Sequence, residues 1–360
     1  MSRNKKSSKN LIDPNQVKED INPSPLVRKL RSDIVELTTR NKQLLLTLGG
    51  EEDFFEKIKE SLDSIEPGTT DIVRPLKVNP SVHHPMSVVL LLSDWHIGEI
   101  VEAAEIEGFN TFNWDIAKRR VDQLVSGFSD WVEAARSSAN IDEVVIICVG
   151  DFVSGDIHEE LITGAEFPAP VQSVKAAYLL SEAIAAIADN FNKVRVEFIV
   201  TDNHSRLTKK SQYKKGGYNS FNYIVGWITK ERLMNLKNVD FKLHATIKAL
   251  VDVQGFGYLC QHGHTIRGWS GFPWYGADRQ VSREAKARLN MVDKQFSKML
   301  IGHFHVPMNS QDFIVNGSLS GTTELDHGQG RHAAASQVAW LVHPKHGEFS
   351  WTPFWLDNLD

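Results

Sequence analysis

Apolar runs of strand length recur along the chain, and each ends in polar residues. "MSVVLLLSD" (86–94) is continuously apolar through its middle, as expected for a strand covered on both faces. The same form returns in "EVVIICVGD" (143–151), "VRVEFIVTDNH" (194–204), "GFGYLCQHGH" (255–264) and "SKMLIGHFH" (297–305). Between several of these runs the apolar spacing becomes helical, at about 115–137, 170–191, 219–236 and 276–293. Later runs, "QDFIVNGS" and "QVAWLVH", read as strands with no helix between them. The mixture predicts an α/β fold with two packed, mixed β-sheets flanked by helices over 86–360.

The part before Met86 has a different texture. Residues 1–24 are polar and interrupted by Pro14 and Pro23, which predicts a flexible tail. A helical segment is expected over 25–66. Leu30, Ile34, Leu37, Leu44 and Leu48 approximate a stripe that stops at Gly49-Gly50, and a second helix over Glu51–Ile65 stops before Pro67-Gly68. Residues 67–85 are proline-rich and read as a linker. Two helices with so little apolar surface cannot form a core alone. They are expected to dock on the main domain, on a second copy in a homo-oligomer, or on a protein partner.

Composition narrows the class. Hydrophobic residues make up 41% of the 360 and the formal charge is -5, which argues against a broadly basic nucleic-acid coat but permits a local basic patch. Cys148 and Cys260 lie inside apolar runs and read as core residues of a reducing compartment. The reading finds no apolar stretch long enough to cross a membrane, and "MSRNKKSSKN" lacks the apolar segment of a secretory signal. A cytoplasmic location and no membrane partner are the expectation.

The chemistry lies at the ends of the runs: Asp94-Trp95-His96, Gly150-Asp151, Asp202-Asn203-His204, His262-Gly263-His264 and Gly302-His303-Phe304-His305. Singly, each has an ordinary explanation as a turn, a helix cap or a surface histidine. Their recurrence at successive strand ends changes the weighting, because loops at the carboxyl ends of strands are where α/β proteins assemble sites. Mixed carboxylate, carboxamide and imidazole donors suit divalent ions such as Mn²⁺, Zn²⁺ or Fe²⁺. Asp-x-His and His-x-His would offer paired ligands from one extended turn. A single carboxylate, Asp151, could bridge two ions, and His303 and His305 would face different ones. Such a pair activates a bridging hydroxide and neutralises phosphoryl oxygens during in-line displacement.

The order Asp-x-His, Gly-Asp, Asn-His, His and Gly-His-x-His resembles the calcineurin-like metallophosphoesterase superfamily, over about 86–322 and including "NGSLSG" (316–321). The resemblance implies a four-layer αββα sandwich and a dinuclear-metal phosphoester hydrolase. It also implies two divalent metal ions, Mn²⁺ foremost, with Zn²⁺, Fe²⁺ or Mg²⁺ as substitutes. One ion would take Asp94, His96, Asp151 and His305; the other would take Asp151, Asn203, His262 and His303. His204 would stay unligated beside the phosphate, stabilising charge or protonating the leaving oxygen.

One motif departs from the family pattern, which has Gly-Asn-His followed by Asp or Glu; here it reads Asp202-Asn203-His204-Ser205. Aspartate tolerates the left-handed backbone attributed to that glycine. Loss of the acid after His204 would weaken its acid–base role unless Asp202 or another carboxylate substitutes. The continuation "NHSRLTKK" resembles phage-encoded members.

For the substrate, Arg206, Lys209, Lys210, Lys214 and Lys215 with Tyr213 and Tyr218 interleaved could hold a nucleic-acid strand, or form an ordinary solvated loop. The favoured expectation is a phosphodiesterase acting on DNA, similar to SbcD-type DNA-repair exonucleases. The alternatives are a phosphatase or small-nucleotide phosphodiesterase, and a metal-binding scaffold with little catalysis. Trp269, Phe272, Trp274 and Tyr275 are expected to pack as a flap or present a stacking platform. Arg279, Arg283, Lys286 and Arg288 read as an ordinary charged helix face. His158 is either a helix-start residue or a partner behind the site.

Overall fold

A computed structural model of the chain describes residues 29–40, 85–267 and 272–356. The chain divides into two units, Met1–Glu56 and Lys57–Asp360. In the first, residues 29–40 are helical (α1), with Leu30, Ile34, Val35 and Leu37 exposed. The tail, the second helix and the linker read from the sequence lie outside the described residues, except that Pro85, read as the end of the linker, opens the first strand.

In the second unit, β1 (Pro85–Leu92), β2 (Asn140–Cys148), β3 (Lys193–Ile199) and β4 (Val239–His244) are parallel neighbours. The antiparallel strands β10 (Ser336–His343) and β11 (Gly347–Trp355) extend this sheet beyond β1, in the order β11-β10-β1-β2-β3-β4. The second sheet, β5-β6-β7-β9-β8, contains β5 (Ala249–Val253), β6 (Phe256–Cys260), β7 (Lys298–Ile301), β8 (Met308–Asn309) and β9 (Phe313–Val315). It too mixes parallel and antiparallel pairs.

The period of two along a strand decides the layering. Val89, Leu91, Val145 and Ile147 point between the sheets and pack with Val251, Tyr258, Cys260, Leu300 and Ile314. Each such side chain removed from water contributes roughly 1.5–3 kcal/mol. The helix α4 (Ala169–Ala188) packs against both α2 (Trp114–Arg136) and α5 (Phe221–Leu233), and α2 and α5 lie against strands of the first sheet. On the far side, Ala277 of α6 (Trp274–Ala287) joins Leu259, Met299, Ile301 and Phe313 of the second sheet. The four-layer αββα sandwich is therefore as expected, and both cysteines are buried and unpaired.

Three local readings need correction or completion. Helix α4 is long and apolar enough to cross a membrane, contrary to the reading of the chain, but 67% of its most apolar window is buried inside the protein. Of the aromatic group, Phe272 packs on Phe304 and Phe313, and Trp274 covers Phe272 and Phe313 while half exposed. Tyr275 is exposed, and Trp269 lies outside the described residues. His158 is the residue before the short helix α3 (Glu159–Thr163) and faces solvent.

Candidate metal centre

The loops that follow β1 and β2 are zipped to each other past the ends of their strands. Asp94 N donates to Gly150 O at 3.0 Å, His96 N to Asp151 O at 3.1 Å and Ile97 N to Phe152 O at 3.1 Å. The side chains are aimed by left-handed backbone: φ is 56° at Asp94, 45° at His96, 50° at Asp151, 70° at His303 and 61° at His305. This corrects the expectation of an extended turn. In each pair two left-handed residues flank one that is buried in the core, Trp95 or Phe304. Aspartate and histidine are among the few residues that accept this geometry at modest cost.

Gly302 explains why the β7 end carries a glycine. A Cβ there would stand 2.5 Å from Asp94 Oδ2 and 2.7 Å from Ser93 Oγ. Without one, the loop closes on Asp94, and His303 N donates to both carboxylate oxygens at 3.0 Å. The "NGSLSG" segment braces the Ser93-Asp94 turn from behind, with Leu319 N donating to the main-chain O of Asp94 at 2.9 Å and Asn316 Nδ2 to Ser93 Oγ at 2.9 Å.

Ligand-capable atoms converge in overlapping groups whose members lie within 4.8 Å of one another: Asp94, His96 and His305; His96, Asp151 and His204; and Asp151, His262 and His303. Asp151 belongs to two of them, including one on each side of the site. Asn203 joins the last group, its Oδ1 standing 3.0 Å from His262 Nε2. His204, read as unligated, also comes within that distance of His96 and Asp151.

The donor chemistry fits a pair of divalent cations. His262 Nδ1 donates to Val149 O at 2.8 Å, so its Nε2 turns a lone pair toward Asp151 Oδ2 at 2.9 Å and Asn203 Oδ1. Three acceptors facing one another need a shared proton or a cation between them. On the other side, His305 Nδ1 donates to Asp326 Oδ2 at 2.8 Å, and its Nε2 lies 3.1 Å from His96 Nε2.

Electrostatics carry the same imprint. Burial would lower His262, but Asp151 and Asp94 raise it to about 10. Burial would likewise raise Asp151, yet His262 and His204 hold it well below the usual carboxylate range. Burial, then His204 and His305, keeps His96 neutral with its pKa far below normal, and burial and His262 do the same to His303. Asp94 is raised by burial. His262 and Asp94 thus hold their protons more tightly than usual, whereas Asp151 is ionised and His96 and His303 are neutral. A metal ion bound by neutral imidazole and carboxylate would displace those protons.

The Asp202 departure has an outcome different from the one expected. Asp202 is not in left-handed backbone. Its side chain instead organises the loop: Oδ2 accepts from Asp151 N at 2.8 Å and from Asn222 Nδ2, and Oδ1 accepts from Ser205 N at 2.9 Å and Ser205 Oγ at 2.6 Å. Burial and the neighbouring Asp151 raise Asp202 to about 7. Among the described residues no carboxylate bonds the His204 ring in place of the missing acid. Ser154 O accepts from His204 Nδ1 at 2.8 Å, which leaves Nε2 free for the site. Gly155 makes this approach feasible, since a Cβ would collide with the carbonyl oxygen of His204.

Two buried partners were missed in the sequence. Asp326 lies on α7 (Glu324–Gly328), pairs with Arg331 at 2.9 Å and is held by a capping box with Thr323. Burial opposes its charge, but His305 and Arg331 hold it far below its ordinary value, while Asp326 lifts His305 to about 9 against burial. The Thr323-x-x-Asp326 spacing was a visible helix-start signal; its link to His305 was not. Glu99, 3.6 Å from His96 Nδ1, is raised to about 7 by burial.

On the loop that follows His204, Lys209, Lys210, Tyr213, Lys214 and Lys215 are exposed, with no side-chain ion pair among the described residues. Arg206 is turned inward to the loop itself, donating to Asn203 O at 2.8 Å and Thr208 O at 3.0 Å. Arg206, Gln212 and Tyr213 line one narrow cleft together with Asp202, His264 and Thr265. Burial, then His262, lowers His264 to about 4, and its buried Nδ1 has no partner.

Comparison with known proteins agrees with this geometry. The calcineurin-like phosphoesterase family model matches residues 87–342, well over half of the chain. No curated protein matches it. Among solved structures, an archaeal phosphodiesterase aligns at 10% identity over 74% of this chain and 99% of its own, with a TM-score of 0.32. Vps29 with Zn²⁺ from Entamoeba histolytica aligns at 10% over 75% and 99%, TM-score 0.28. The purple acid phosphatase PPD1 of yellow lupin aligns at 9% over 74% and 53%, TM-score 0.29. Likeness at that level carries no argument about activity; the family match and the clustered donors do. The chain belongs to the calcineurin-like phosphoesterase family and is a metal-dependent hydrolase of phosphoester bonds.

Proposed function

We propose that the protein is a phosphodiesterase that cleaves nucleic acid, DNA foremost, with Mn²⁺ as the working metal. The observation that carries the reading is the rim. Lys209, Lys210, Lys214 and Lys215 stand exposed on the loop that follows His204, without ion pairs among the described residues, although the chain as a whole is acidic. Unneutralised cations at a phosphoesterase mouth attract a polyanion, and Tyr213, 76% exposed among them, offers a face to a base.

In this reading Asp94, His96, Asp151 and His305 hold one ion, and Asp151, Asn203, His262 and His303 hold the other. Two such ions, when bound, activate water and neutralise the phosphoryl oxygens. His204, fixed through Nδ1 by Ser154 O, presents Nε2 to the phosphate and passes a proton to the leaving oxygen. Asp326 fixes the tautomer and the ring plane of His305. Arg206 shapes the loop, and the lysines steer the strand.

The test compares metal-loaded protein on a bis-aryl phosphate, a mono-aryl phosphate, and single- and double-stranded DNA and RNA. The expected result is faster turnover of the diester than of the monoester, with Mn²⁺-stimulated cleavage of DNA. Intact nucleic acids together with rapid monoester hydrolysis would make the protein a phosphatase. Full metal occupancy with turnover unaffected by His204→Ala would make it a scaffold.

A further inference from the structure

The charged face of α6 differs from an ordinary solvated helix face in how its charges are spent. Glu284 pairs with both Lys248 and Arg288. Arg267, Arg279 and Arg283 make no hydrogen bond or ion pair among the described residues. The three line one cleft with Thr265 and Gln280, about 650 Å³ in volume, where the only carboxylate among the described residues is the already neutralised Glu284. Thr265 also lines the cleft beside His264 and Arg206, so the two clefts share a wall.

Spacing adds a second element. Tyr275, Arg279 and Arg283 are each four apart on α6, so their side chains emerge in one row. Tyr275 is 89% exposed and its ring meets no other ring among the described residues. The helix is tied to the site, because Gln280 Nε2 donates to Gln261 Oε1 at 3.0 Å, one residue before His262. A row of an unstacked aromatic ring and unpaired guanidinium groups, held at a fixed distance from a phosphoesterase centre, matches a single strand's alternation of base and phosphate.

We infer that the Tyr275–Arg279–Arg283 row, with Arg267, is a binding track for the non-scissile part of a single-stranded nucleic acid. The inference rests on the nucleic-acid reading above. Arg279 and Arg283 take backbone phosphates and Tyr275 stacks a base.

The test is binding rather than turnover. Fluorescence anisotropy of a labelled, cleavage-resistant phosphorothioate single strand is measured against the Mn²⁺-loaded full chain over a range of salt. Arg279→Ser/Arg283→Ser should weaken binding at least about tenfold and flatten the log–log salt slope by about 1.4, the share of two phosphate contacts. Tyr275→Ser should weaken binding at least about fivefold with the slope unchanged, as lost stacking requires. Lys230→Ser/Lys237→Ser removes equal charge from an exposed surface elsewhere. Equal weakening by that pair, an unchanged affinity in the arginine variant, or no binding by the wild type overturns the track; thermal unfolding checks that each variant is folded. Loss of the track with bis-aryl phosphate hydrolysis intact leaves the phosphodiesterase reading standing, whereas absence of diester hydrolysis removes that reading whatever the binding shows.

Discussion

At the floor of the site Asp94, Asp151 and His262 are almost wholly buried, and each has several polar contacts that fix its direction. At the rim Lys209, Lys210, Lys214 and Lys215 are exposed and unpaired among the described residues. The floor is over-determined: left-handed backbone, interlocked loops and a glycine that permits close approach all specify the same positions. The rim is specified only by charge. Chemistry that needs sub-ångström placement therefore belongs to the floor, and recognition that tolerates sequence belongs to the rim.

Substitutions should reproduce that contrast, most severely at the floor. Asp151→Asn removes the carboxylate common to both ligand groups, and turnover should fall at least about a thousandfold, corresponding to the several kcal/mol that such ions supply. Steady-state kinetics on a bis-aryl phosphate measures it. His204→Ala keeps the seven proposed metal ligands but removes the proposed proton donor; a loss of about a hundredfold in kcat with little change in KM is expected. Asp326→Ala acts one step further out, and metal affinity measured by titration calorimetry should drop by about ten- to a hundredfold. At the rim Lys209→Ser/Lys210→Ser should leave kcat for DNA nearly constant. It should raise KM by about threefold at low salt, and by less at high salt where the attraction is screened. A rim variant that lowered kcat as strongly as His204→Ala would erase the distinction.

The sequence made the floor legible and its geometry illegible. Strand runs ending in Asp94, Asp151, Asn203, His262 and His303 were visible because buried parallel strands are continuously apolar and stop abruptly. The helices α2, α4, α5 and α6 were visible through their period. Edge strands were not: β4 alternates Asp240 and Lys242 around Phe241, and β11 carries Pro353, so neither shows a core pattern. Asp202 illustrates a deeper limit. A departure from a family motif was read as a backbone substitution, whereas the side chain's hydrogen bonds to Asp151 N and Ser205 carry the role. Asp326 was invisible for a related reason, because its contact with His305 spans elements that only the fold brings together.

Metal stoichiometry tests the central claim most directly. Elemental analysis of the chain after equilibration with Mn²⁺ and removal of free ion should find two ions per wild-type chain and fewer than one in Asp151→Asn, since both sites share that carboxylate. Equal metal content in the two proteins, or a single ion in the wild type, would contradict a site built around Asp151 as its common donor.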